Sequence, residues 1–130
     1  MTVNLTDAEW KIMNLLWSHG ELTITQLTNA LANETAWSKQ TIISFLNRLE
    51  AKAAVSYVRK GQAKVFFALI ERETTAANET KDLINKVFSG SLGLMVNTIA
   101  KNQTFTVEEI KELEDIVKKL EAVPPREEGR

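Results

Sequence analysis

Apolar residues in the first third of the chain recur at helical spacing, and a capping signal precedes each such stretch. The segment Thr6-Asp7-Ala8-Glu9 is a capping-box pattern, in which a threonine hydroxyl and a glutamate satisfy free amides at a helix start. Behind it, tryptophan, methionine and leucine side chains form one apolar stripe that ends at Gly20. A second capping box begins at Thr23 and opens a shorter helix. The pattern therefore predicts two short helices packed on one core.

A third helix is predicted over residues 39–52, with Ser38 as its N-cap. Its inward-facing positions are Ile42, Phe45, Leu46 and Leu49. Two β-prone segments follow, over residues 55–59 and 64–68, and the loop between them contains Gly61, which predicts a hairpin. A helix, a helix-turn-helix and then a hairpin with basic residues at its tip are the elements of a winged helix.

Beyond residue 70 the chain becomes more polar, and three further helical stretches carry apolar faces. We therefore predict a mainly α protein with a small β-hairpin wing. A winged helix-turn-helix DNA-binding domain would occupy residues 1–70, and a C-terminal helical dimerisation domain residues 71–122. Because Pro124-Pro125 ends the helical pattern, residues 123–130 are expected to be a flexible tail.

The apolar faces of the C-terminal helices are larger than the winged helix can cover. Uncovered apolar surface favours oligomerisation, and a two-fold homodimer is the commonest solution. The alternative is that these helices fold back on their own DNA-binding domain. The predicted dimer contacts are Leu83, Val87, Leu92, Met95, Ile99, Ile110, Leu113, Val117 and Leu120.

Composition narrows the chemistry that the chain can perform. It has 130 residues, no cysteine and one histidine, which excludes disulfides, thiolate metal sites and the usual multi-histidine sites. No nucleophile–base–acid set or phosphate loop occurs at a recognisable spacing. We therefore expect no catalytic residues, no metal and no cofactor. With no secretory signal and no apolar run near the roughly 18 residues that cross a bilayer, a cytoplasmic location without membrane insertion is expected.

The net charge of −1 conceals a basic cluster: from Arg48 to Lys64 there are five basic residues and one acid, Glu50. In a helix-turn-helix the second helix enters the DNA major groove, and its first residues approach the base edges. The predicted DNA contacts are Ser38, Lys39, Gln40, Thr41 and Ser44 at the helix start, with Arg48, Lys52, Arg59, Lys60 and Lys64 on phosphates.

Other interpretations of these residues remain open. Ile43 lies on the proposed reading face, where an apolar side chain either contacts a thymine methyl group or belongs to the core. The basic residues taken singly fit a solvated helix face and a charged turn. The acidic overall balance also allows a winged helix that serves only protein–protein contact.

Several segments resemble the penicillinase-repressor family of winged-helix transcriptional repressors. The resemblance is carried by Leu5 to Trp17, by Trp37 to Leu49, and by Lys60-Gly61 with Val65-Phe66-Phe67, which looks like the family's wing. Phe88 to Leu92 and Glu108 to Leu113 look like its dimerisation region. The motifs occur in the family's order and spacing over almost the whole chain, from about Leu5 to Leu120.

The resemblance implies a homodimeric repressor on a palindromic operator, often that of a β-lactamase or other resistance gene. It also implies release by a membrane sensor-protease system and cleavage within the dimerisation domain. The matching bond here is Asn97–Thr98, where Thr98 replaces the family's usual phenylalanine. The copper-responsive branch of the family binds Cu(I) through a cysteine pair, so a copper-type repressor with this sequence would lack that site.

Overall fold

Six helices and a three-stranded antiparallel sheet make up the part of the chain described by this computed structural model, residues 3–123. The elements are α1 (Asp7–His19), β1 (Leu22–Thr23), α2 (Ile24–Leu31), α3 (Lys39–Ala51), β2 (Val55–Lys60), β3 (Ala63–Ala68), α4 (Arg72–Phe88), α5 (Leu92–Asn102) and α6 (Val107–Glu121). The predicted class, mainly α with a small β-hairpin, is confirmed. Of the predicted tail, only residue 123 lies within the described range.

The helix starts follow the local capping signals. At α1 the Glu9 amide donates to Thr6 Oγ1 (3.2 Å) and the Thr6 amide donates to Glu9 Oε1 (2.9 Å), which completes the predicted capping box. Gly20 ends the helix with φ at 88°, a conformation that glycine adopts without steric cost. The box predicted at Thr23 is also complete, and α6 begins with a further complete box at Thr106.

The sheet has the strand order β1-β3-β2. β2 and β3 form the predicted hairpin, in which Lys60 pairs with Ala63 across a turn that contains Gly61. β1 was not predicted, because two residues carry no periodicity. Its Thr23 both pairs with Val65 of β3 and caps α2. This short strand therefore fixes the start of α2 beside the hairpin.

One apolar core joins α1, α2, α3 and the hairpin. Ile12, Leu27 and Ile42 are fully buried in it, and Phe66 contributes from β3. Complete burial of side chains of this size stabilises the fold by about 1.5–3 kcal/mol each. Because the inner side of α3 packs in this core, the opposite side of the helix remains exposed to solvent.

The chain divides into two compact units, Met1–Leu83 and Ile84–Arg130, at a point inside α4. The first unit contains the sheet, α1 to α3 and most of α4. The second contains the end of α4 together with α5 and α6. The assignment of residues 1–70 to DNA binding and of residues 71–122 to dimerisation remains a prediction. No helix within residues 3–123 is long and apolar enough to cross a bilayer.

Candidate nucleic-acid interface

The start of α3 presents a polar surface. Ser38 is the N-cap, and its Oγ accepts a hydrogen bond from the Thr41 amide (3.3 Å). Lys39, Gln40 and Ser44 are exposed, while Thr41 is half-buried. On the opposite side, Ile42, Leu46 and Leu49 are buried, as predicted, and Phe45 is half-buried. The first two turns of α3 therefore expose Lys39, Gln40 and Ser44 opposite the buried positions of the helix, and their contact with DNA remains a prediction.

A groove runs between α3 and the hairpin, and we call it the α3–hairpin groove. It has a volume of about 580 Å³. Lys39 reaches it from α3, Arg59 from β2 and Lys64 from β3. Three of the predicted DNA contacts, from three separate elements, therefore converge on one surface. Electropositive clefts of this kind raise the local concentration of anions.

Ile43 lines the same groove and is half-buried. It is therefore not enclosed in the core, and a part of its side chain faces the groove. The sequence left open whether Ile43 belongs to the core or contacts a thymine methyl group. Its partly exposed position allows contact with an external apolar group.

Two contacts hold the cations of the hairpin. The Lys64 ammonium lies 4.5 Å from the centre of the Tyr57 ring, a cation–π arrangement that keeps the long side chain in place. The Lys60 ammonium pairs with Glu21 at 2.6 Å, and both side chains are largely exposed. Arg59 is exposed at the outer part of β2.

Arg48 and Lys52, near the end of α3, have different environments. Arg48 is exposed, and its guanidinium carbon lies 5.8 Å from the centre of the Phe45 ring. The Lys52 ammonium instead donates to Glu9 Oε1 (2.6 Å) and to the Asn4 carbonyl (2.8 Å). The structure thus does not bring Lys52 together with the cations of the groove. Its ammonium links α3 to the start of α1.

Glu9 explains why Lys52 is held there. Its side chain is completely buried, and among the described residues its Oε2 has no hydrogen-bond partner. Burial by itself raises the pKa of the Glu9 carboxyl. The hydrogen bonds from Lys52 and from the Thr6 amide, together with the Lys52 charge, lower the pKa by more than burial raises it, so that it lies below its ordinary value. Glu9 is therefore ionised at neutral pH and requires the lysine.

Four polar residues that line the groove were absent from the predicted contacts: Thr23, Thr25, Asn47 and Gln62. Asn47 lies one turn after Ile43 on the same side of α3, so the helical period could have indicated it. Gln62 lies at the hairpin turn. No local signal distinguishes it, since its position depends on how the hairpin packs beside α3.

Apolar side chains are exposed on the second half of α4 and on α5 and α6. Eight of the nine predicted dimer contacts have exposed fractions between 38% and 65%, and Met95 is half-buried. Ile116 is similarly exposed and was not predicted. Ile110, Leu113 and Val117 line a shallow groove along α6, bordered by Glu114, Lys118 and Glu121.

The Asn97–Thr98 bond lies inside α5, and both side chains are exposed. Thr98 Oγ1 donates to the Leu94 carbonyl (2.8 Å), a bond within the helix. The peptide bond therefore has helical rather than extended geometry.

Comparison with known proteins shows the same family along most of the chain. The family model described as penicillinase repressor matches residues 5–119. The chain is 27% identical over 113 residues to the penicillinase repressor of Bacillus licheniformis, covering 87% of this chain and 88% of that protein. It is 25% identical over 118 residues to the methicillin resistance regulatory protein MecI of Staphylococcus aureus, covering 91% and 96%.

A solved structure matches part of the chain. It is the monomeric form of BlaI from Bacillus licheniformis in complex with a half-operator. The TM-score is 0.50 with 26% sequence identity, over 56% of this chain and 89% of that one.

Proposed function

Because the chain belongs to the penicillinase repressor family, we propose that it represses a β-lactamase or related resistance gene by binding a palindromic operator as a homodimer. The convergence of Lys39, Arg59 and Lys64 beside the exposed start of α3 is the observation that carries the proposal. The half-operator bound by the similar BlaI structure supports DNA as the partner. The function is regulatory and needs no catalytic group.

In the proposed complex the first turns of α3 enter the major groove. Gln40 donates to and accepts from an adenine edge, and Ser38, Thr41 and Ser44 bond to bases or phosphates. Ile43 contacts a thymine methyl group. The phosphates are held by Lys39, Arg48, Arg59, Lys60 and Lys64. We leave Lys52 out of this set, because its ammonium is bound to Glu9 and Asn4.

The apolar surface of α5 and α6 forms the proposed dimer interface. Side chains such as Leu92, Ile110 and Leu120 are about half exposed or more, and a second copy would remove them from water. Dimerisation makes binding to the second half-site intramolecular, which raises the affinity for a two-site operator. In this scheme residues 1–70 bind DNA and residues 71–122 dimerise.

Repression is relieved, in this proposal, by cleavage of the Asn97–Thr98 bond through a membrane sensor-protease system, with the repressor in the cytoplasm. The cut would separate α6 from the rest of the chain and remove part of the dimer interface. Because the bond lies within α5, the protease must unwind that helix locally before it can bind an extended substrate.

Selection of binding sites from a random pool of duplex DNA tests the function directly. The full chain should enrich a motif with two-fold symmetry, with half-sites about one helical turn apart. The variant Gln40→Ala should enrich a motif altered at one position of each half-site, whereas Lys11→Gln, a change outside the interface, should enrich the original motif. Failure of the full chain to enrich any sequence would contradict the proposal and favour a winged helix used for protein contact.

A further inference from the structure

We infer that the α3–hairpin groove is also a binding site for a small amphipathic organic anion, an aromatic ring system bearing a carboxylate. The affinity of the groove for this ligand does not depend on the proposed function. The effect of the ligand on gene regulation rests on the proposed function, since a bound anion would compete with the operator for the same residues.

The walls of the groove are more apolar than a phosphate contact needs. Ile24 and Ile43 line it and are half-buried, so that part of each side chain borders the open space. Leu46 and Phe66 lie behind them in the core. In the proposed DNA complex a thymine methyl group contacts Ile43 alone, whereas a flat hydrocarbon body in the groove would cover Ile24 as well and release water from both.

The charges of the groove select an anion. Lys39, Arg59 and Lys64 line it, and no carboxylate does so among residues 3–123. Arg59 and Lys64 are direct partners in the β2–β3 ladder, an arrangement in which like charges repel. A carboxylate between them would relieve that repulsion. Asn47 and Gln62 add neutral hydrogen-bonding groups at the same surface.

The size of the groove fits a ligand of one or two rings. Its volume of about 580 Å³ lies within the range of roughly 300–1,000 Å³ that is typical of small-molecule sites. Such sites combine mainly apolar walls with a few polar groups that fix orientation. This groove has both.

Occupation of the groove would oppose DNA binding. Lys39 and Ile43 belong both to the proposed operator contacts and to the groove, so the two ligands cannot use them together. Linkage then requires the operator to weaken anion binding by the same factor by which the anion weakens operator binding.

Titration of the full chain with naphthoate, followed by amide proton–nitrogen correlation spectra and without DNA, tests the site. We expect saturable shifts at the amides of Ile43, Gln62 and Lys64. The neutral isostere naphthamide should bind about five-fold more weakly or worse, because it lacks the charge. Arg59→Gln and Lys64→Gln should each raise the naphthoate Kd by up to about five-fold, whereas Lys11→Gln, an exposed cation elsewhere in the same unit, should leave it unchanged.

Three results would overturn the inference. One is the absence of saturable shifts, and another is equal affinity for naphthoate and naphthamide. The third is binding confined to the exposed apolar face of α6, reported by the amides of Ile110 and Val117. In a separate arm with the selected duplex, saturating naphthoate should lower operator affinity. If the chain binds no operator at all, the proposed function fails while the titration still decides whether the anion site exists.

Discussion

Arg59 and Lys64 face each other across the β2–β3 ladder, so that two positively charged residues occupy one cross-strand position of the hairpin. Such a pair is unfavourable in the free protein. The Lys64 ammonium also lies 4.5 Å from the centre of the Tyr57 ring, a contact with the same strand that carries Arg59. An arrangement that costs stability without a ligand becomes favourable once an anion lies between the two side chains.

Arg59→Gln should therefore change stability and DNA binding in opposite directions. We expect the free energy of unfolding to rise by a few tenths of a kcal/mol, at the low end of the roughly 0.2–1 kcal/mol range for cross-strand pairs. Operator affinity should fall at the same time. Chemical denaturation and titration of labelled duplex measure the two effects. A loss of stability equal to that of a core substitution would contradict the account.

Substitution of Lys52 should lower the stability of the folded protein rather than weaken its contacts with DNA. Lys52→Met removes the ammonium that neutralises the buried Glu9 carboxylate, and a buried polar group left without its partner costs about 1–3 kcal/mol. The salt dependence of DNA binding by the folded variant should equal that of the unchanged chain. The matched substitution Arg48→Gln should have the reverse profile, with normal stability and a shallower salt dependence. A shallower dependence for Lys52→Met would instead make Lys52 a phosphate contact.

The pH dependence of stability should contain a contribution from Glu9. Its pKa in the folded protein lies below the ordinary value of 4.5, so near that pH the unfolded chain binds more protons than the folded one. This stabilising contribution is fully present when the pH is above the ordinary pKa of 4.5. It is lost as the pH falls through the lower pKa of the folded state. Denaturation curves at stepwise lower pH should show this loss in the unchanged chain. Glu9→Gln should remove this part of the pH dependence, and an identical pH profile for both proteins would count against the buried ion pair.

Glu21 restrains Lys60, one of the cations that we propose bind DNA. Its carboxylate pairs with the Lys60 ammonium at 2.6 Å and would compete there with a phosphate. Glu21→Gln should raise operator affinity by up to about five-fold, the scale of an exposed ion pair. Glu34→Gln is the matched control, because it removes an equally exposed pair with Lys11 away from the groove. Equal effects of the two substitutions would indicate that only net charge matters.

Local signals account for the part of the fold that the sequence made predictable. Ser38 as a cap and the helical period of Ile42, Leu46 and Leu49 are properties of one segment, so α3 was predicted almost to its last residue. The hairpin followed in the same way from two β-prone runs around Gly61. Both predicted strands are one residue shorter than the observed strands, since the pairing partner decides where a ladder ends.

Contacts between distant segments were beyond such reasoning. Glu9 was recognised as part of a capping box, yet its ion pair with Lys52 joins residues far apart in the chain. For the same reason Lys52 was assigned to phosphates by its charge alone. The pairing of β1 with β3 and the position of Gln62 likewise depend on tertiary packing.

The salt dependence of operator binding tests the central claim most directly. Removal of one cation that binds a phosphate should reduce the slope of log affinity against log salt by about 0.9. The variant Lys39→Gln/Arg59→Gln/Lys64→Gln should therefore bind with a much shallower slope than the unchanged chain. A control with the same charge change outside the interface, Lys11→Gln/Lys81→Gln/Lys86→Gln, should keep the original slope. Equal slopes for the two variants would contradict the assignment of the α3–hairpin groove to DNA.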